Sequence, residues 1–232
     1  MNTTKDFLFN VPLPIKTDSY SPVSHKNIIE ATYEQLDKHN LVVNNEFFNI
    51  DKEGRKLIGG LDIIHPDAPH LGMRLAFRNS YDKSMSVAFA AGAVAWICSN
   101  GMVSGEIQYM RKHTGTVVDE LNTKIITTIN QLDTHFQKML KHAGLLQEIT
   151  LTKEQYAELV GRLYIIDKIV IPTQLSIISK EIDQPTFKDF EDLNAWSLYN
   201  HVTYSLKNSH PSTYLDQHTE FHNFIEREFQ LN

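Results

Sequence analysis

LGMRLAFRNSYDKSMSVAFAAGAVAWICSNG, residues 71–101, is the segment from which the architecture is read. Its 85–98 portion is the longest apolar run of low charge in the chain, and polar turn signals stand at both ends of the segment. Asn79-Ser80-Tyr81-Asp82-Lys83-Ser84 separates two runs of strand-like composition. Asn100-Gly101 follows the second run, and Asn-Gly is the dipeptide most tolerant of the positive φ angles of a tight hairpin. The pattern predicts a hairpin over 74–98 turning at 81–83, then a second turn into a strand over 102–108. Residues 86–95 are small apart from one Phe, so a neighbouring backbone or helix can pack closely over them. An Ala-rich helix is the competing reading, because periodicity alone does not separate short apolar runs.

Upstream, 41–50, 55–64 and 71–79 read as strands, with turns at 51–54 and 65–69. Together with the central hairpin they make an antiparallel β-meander of four or five strands. Ser24 is placed to cap a helix over 25–38 whose apolar face is Ile28, Ile29, Thr32 and Leu36. Residues 1–24 hold three prolines and read as an extended arm in which Phe7, Phe9 and Val11 alternate like a strand.

Downstream, Val117, Leu121, Ile125, Ile129, Leu132, Phe136 and Leu140 recur at helical spacing, predicting one long helix that ends near Gly144. A second helix over 152–169 opens on a capping box, Thr152 with Gln155. Pro172 reads as a break followed by a short segment to 180, and 189–207 and 216–229 read as two final helices. The expected class is α+β: a meander preceded by one helix, covered by a long helix, and followed by a helical C-terminal part. The expected divisions are an arm (1–24), an α+β core (25–180) and an acidic helical segment packed on that core (181–232).

Composition is that of an ordinary globular chain of 232 residues, 41% apolar and 22% charged. The single cysteine, Cys98, has no intrachain partner, no signal-peptide pattern opens the chain, and no run of about eighteen apolar residues occurs. These features lead to an expectation of a cytoplasmic protein with no membrane partner. The net charge of −6 arises in 181–232, where 9 acidic residues meet 3 basic ones. The centre is basic instead, with Arg74, Arg78, Lys83, Arg111 and Lys112 against Asp82 and Glu106.

Several constellations bear on chemistry. Asp62, His65, Asp67 and His70 crowd one loop and are candidate metal ligands, although their spacing matches no named motif and prolines there suit a plain surface turn. His218 and His222 stand four apart with Glu226 one turn on, again without a named metal motif; a solvated polar helix face is the simpler reading. His201 and His210 read as helix-surface and loop residues. No Gly-x-Ser-x-Gly, P-loop or dinucleotide fingerprint occurs, so nucleophilic catalysis has little support and no cofactor is expected. The central basic residues remain. Arg74 and Arg78 are four apart on one strand and share a face. With Lys83, Arg111 and Lys112 they make a candidate phosphate track, with Tyr81 and Tyr109 as stacking platforms. The alternative is that these residues pair with Asp62, Asp82 or Glu106 and solvate a sheet face.

The block 79–84, then Cys98-Ser99-Asn100-Gly101-Met102, Arg111-Lys112-His113-Thr114 and the late run Asn194-Ala195-Trp196-Ser197-Leu198-Tyr199-Asn200-His201-Val202-Thr203 resemble a phage- and plasmid-encoded family that carries a domain of unknown function. The likeness covers about 40–210. Tyr81 stands where that pattern has His, and Lys83 where it has Gly. The resemblance implies a mobile-element setting. The layout is also similar to that of phage single-strand annealing proteins, an analogy of fold alone. The sequence-level expectation is therefore a phage-type protein that binds single-stranded DNA or promotes annealing as a homo-oligomer. Two alternatives stand beside it: a phage structural or host-protein-binding partner without nucleic-acid activity, and a metal-dependent hydrolase.

Overall fold

The computed structural model describes residues 3–64, 71–95, 100–210 and 212–231, with side chains described for all of these except 71, 94–95 and 100–108. The strands are β1 (Val43–Ile50), β2 (Lys56–Ile63), β3 (Leu71–Ser80), β4 (Val87–Ala95) and β5 (Asn100–Arg111), and β3 with β4 makes the central hairpin. They form one antiparallel sheet in the order β1-β2-β3-β4-β5, so the small-residue run is a strand and not a helix. Cys98 and the loop 65–70 lie outside the described residues.

Strand β2 is buried from Leu57 to Ile63, so both of its faces are covered. That explains why its sequence runs apolar without alternation. Gly59 faces Phe77 and Gly60 faces Phe47 in the cross-strand register. A Cβ on Gly59 would stand 2.5 Å from the Phe77 ring, and one on Gly60 would run into the Phe47 ring. The glycines leave room for aromatic rings laid across the strand.

The N-terminal arm is a correction to the strand expected there. Residues Lys5–Asn10 form a helix, α1, because Thr4 accepts from the Phe7 N–H at 3.4 Å and Leu8 has a buried site to fill. The arm lies against the body through Thr3 N–H to the Phe48 carbonyl (2.9 Å) and Ser21 N–H to the His113 carbonyl (2.8 Å). Helix α2 (His25–Lys38) is capped by Ser24 and buries Ile28, Ile29, Thr32 and Leu36, the face read from its period.

The single long helix expected after the sheet is two helices, α3 (Val117–Asn130) and α4 (Leu132–Glu148), interrupted at Gln131. Thr127 and Thr128 turn their hydroxyls back onto the carbonyls of Thr123 and Lys124, a bond that bends helices just where this one breaks. Gly144 lies inside α4 rather than ending it.

Helix α5 (Lys153–Ile165) opens on the expected capping box, Thr152 with Gln155. Pro172 does not end structure but begins α6 (Pro172–Asp183), at the first helical position where its missing N–H costs nothing. After a 3-10 turn (Lys188–Phe190) come α7 (Ala195–Leu206), capped by Asn194, and α8 (Tyr214–Phe229). Of α7's residues, only Tyr204 is not buried, and α6, α8 and the 3-10 turn pack around it.

Two compact units result. One comprises Met1–Gly92 with Glu106–His135; the other comprises Ala93–Gly105 with Phe136–Asn232. The second unit thus groups α5 and α6 with the acidic C-terminal helices. Among the described residues, no helix is long and apolar enough to cross a membrane.

Candidate functional site

The seven residues proposed for nucleic acid separate into three groups. Arg74 and Arg78 do share a strand face, but that face is covered: they are 3% and 4% exposed. Arg74 stands opposite Asp62 in the β2–β3 register, donating from Nε to Oδ1 at 2.6 Å and from Nη2 to Oδ2 at 2.8 Å. Its guanidinium also lies 5.2 Å from the centre of the Phe47 ring. Arg78 reaches the Met110 sulfur at 3.6 Å. Neither presents its charge to solvent. Asp62 receives Asn45 as well, so its carboxylate serves this buried pair; His65, Asp67 and His70 of the proposed metal loop lie outside the described residues.

Tyr81 is buried too. Its ring stacks on His25 at 3.9 Å and its hydroxyl accepts from the His25 backbone N–H at 2.8 Å, which anchors the start of α2. His25 is held between Asn79 Nδ2 (2.9 Å) and the Gly54 carbonyl (3.2 Å), and burial pushes its pKa down to about 4. Tyr109 is half-buried beneath Lys124, 5.9 Å over its ring. Arg111 is exposed but paired with Glu120 of α3 at 3.2 Å.

Lys83 and Lys112 are different. They converge on an open cleft of about 380 Å³ in the first unit. The β3–β4 turn sets Lys83 in place: Ser80 Oγ bridges the backbone of Met85, and Asp82 Oδ1 accepts from the Ser84 N–H at 3.0 Å and hydroxyl at 2.5 Å. Lys83 itself takes a left-handed φ of 65°, and its ammonium lies 4.7 Å over the Tyr20 ring. Asp82 pairs through Oδ2 with Lys56 at 3.3 Å and is not itself among the lining residues. Hydroxyls of Ser19, Ser84, Ser86 and Thr114 line the rest, with His113, whose pKa burial lowers. No carboxylate is among these lining residues. Two ammonium groups beside the hydroxyls of Ser19, Ser86 and Thr114 make a site for an anion with several oxygens. Ser19, Tyr20 and Ser86 carried no sequence signal, because the N-terminal arm reaches the turn only in the folded chain.

The remaining histidines are also sorted by the fold. His201 is buried against Phe190 instead of lying on a helix surface, with its pKa pushed down by burial to about 4. His210 is in an exposed loop, with Nδ1 2.7 Å from the Ser212 hydroxyl. His218 and His222 are buried, which corrects the solvated face expected for them; His218 packs on Tyr214. His222 and Glu226 meet His142 from α4.

The family model of a domain of unknown function, DUF932, matches residues 68–223, about two thirds of the chain. The chain belongs to the DUF932 family. The DUF932 match takes in Lys83, Lys112, His142 and His222 and stops short of Glu226. No curated protein and no solved structure matches the chain.

Proposed function

We propose that this DUF932 chain binds single-stranded DNA through phosphates seated in the Lys83/Lys112 cleft, as a phage- or plasmid-encoded protein acting in the host cytoplasm and promoting annealing as a homo-oligomer. The observation that carries the reading is the convergence of Lys83 and Lys112 on a cleft that has hydroxyl residues and no carboxylate among its lining residues. The backbone at Lys83 supports it. A left-handed residue other than Gly costs about 1–2 kcal/mol, and the resembled pattern has Gly at this position. Retaining Lys there keeps a charge at the cleft despite the strain. Arg74, Arg78 and Tyr81 take no part, since they are buried in packing roles.

The oligomer is supported by Ile165, Ile166 and Ile171, exposed apolar side chains around the α5–α6 turn. The acidic balance of the chain supports the second reading, a partner of phage or host proteins without nucleic-acid activity.

Mobility-shift titration with single-stranded oligonucleotides separates the two. Lys83→Glu/Lys112→Glu should weaken binding at least tenfold, while Lys153→Glu, an exposed charge on α5, should leave it unchanged. Two phosphate contacts predict a salt slope of about −1.4 for a single strand. Absence of a shift at low salt would leave the protein-partner reading, and equal binding by the double variant would overturn the assignment of the DNA site to this cleft.

A further inference from the structure

We propose that His142, His222 and Glu226 form a three-ligand site for a divalent ion of the zinc class, bridging α4 and α8. One potential ligand atom from each residue lies within 4.8 Å of the others. His142 Nδ1 stands 3.7 Å and His222 Nε2 3.5 Å from the same oxygen, Glu226 Oε1. Those spacings are too long for good hydrogen bonds. They are close to the separation of about 3.3 Å between two ligands bound 2.0–2.1 Å from a tetrahedral zinc. Two imidazoles and a carboxylate are a donor set suited to zinc, and three protein ligands leave a position for water.

The surroundings also fit. Both histidines are fully buried, while Glu226 is part-exposed, so an ion has a route in from the Glu226 side. His222 Nδ1 lies 3.1 Å from the Tyr199 hydroxyl. With Nδ1–H donating to that oxygen, the Nε2 lone pair faces Glu226, the orientation a second partner gives a metal-binding histidine. Lys138 opposes the ion, with its ammonium 3.2 Å from Glu226 Oε1. It is part-exposed on a long stem and can turn to solvent as an ion enters.

The test uses the full chain stripped by a chelator and titrated with zinc chloride, followed by calorimetry and elemental mass spectrometry. One tightly bound zinc per chain and a raised melting temperature are expected. Glu226→Gln and His222→Asn should each weaken binding about a hundredfold or more, and Tyr199→Phe about tenfold. Lys138→Gln should tighten it several-fold, which a purely structural cluster would not do. Should the ligand variants fail to fold, the wild-type protein loaded with cobalt decides, since four-coordinate cobalt gives strong visible bands. A stripped chain that takes up no zinc overturns the proposal. So do wild-type affinity in Glu226→Gln, loss of the zinc on replacing the exposed His39 and His210, or a weak six-coordinate cobalt spectrum.

Discussion

Asp62 and Arg74 face each other on neighbouring strands with almost no exposure, and two hydrogen bonds hold them in a fork. Such a pair contributes little over an apolar replacement, yet leaving one member alone in the interior costs about 3–5 kcal/mol. Asp62→Asn should therefore lower the unfolding free energy from a urea titration by an amount in that range, with a lower midpoint, and Asp62→Leu/Arg74→Met should recover much of the loss. Equal midpoints for the single variant and the parent chain would show that the pair is not buried in solution. Gly59 makes a complementary case with no charge involved. Its missing Cβ is where Phe77 and Phe48 meet the strand, and both rings are buried. Gly59→Ala should cost about 1–3 kcal/mol by overpacking, read in the same titration.

At the scale of elements, the β3–β4 turn joins the fold to the proposed activity. Lys83→Gly should remove the left-handed strain and raise stability by about 1 kcal/mol, while weakening DNA binding. A variant that gains stability and binds as before would separate the strain from any role in binding. Local chemistry made much of this scale legible in advance. Ser24 and the Thr152–Gln155 box mark helix starts because capping depends on residues three apart, and the 79–84 block marks a turn through its own Asn, Ser and Asp. Other features depended on partners the sequence does not pair. Alternation puts Arg74 and Arg78 on one face, and Asp62 is one of three carboxylates that could pair with them, but only the β2 register sets Asp62 opposite Arg74 and shows the cover above. His142 drew no notice because its neighbours on α8 follow about eighty residues later. Pro172 read as a break because a proline that stops one helix and one that starts another look alike until the next turn is seen.

At the scale of the whole molecule, both units bury a histidine that must stay neutral. His25 sits in the first unit and His201 in the second, each with its pKa pushed down by burial to about 4, against about 6.5 in an unfolded chain. Between those values the unfolded chain binds more protons than the folded one, so stability rises with pH across the window and is lost as pH falls from 6.5 towards 4. Each histidine contributes a slope of up to about 1.4 kcal/mol per pH unit there. His25 has a further stake, because its neutral ring uses both nitrogens, one toward Asn79 and one toward the Gly54 carbonyl. Urea midpoints measured stepwise between pH 7 and pH 4.5 should fall steadily. His25→Asn should flatten the profile of probes in the first unit, and His201→Phe that of probes in the second, whatever each does to stability at pH 7. A profile that is level in the parent chain, or equally steep when both histidines are replaced, would mean that neither ring is held neutral by its surroundings.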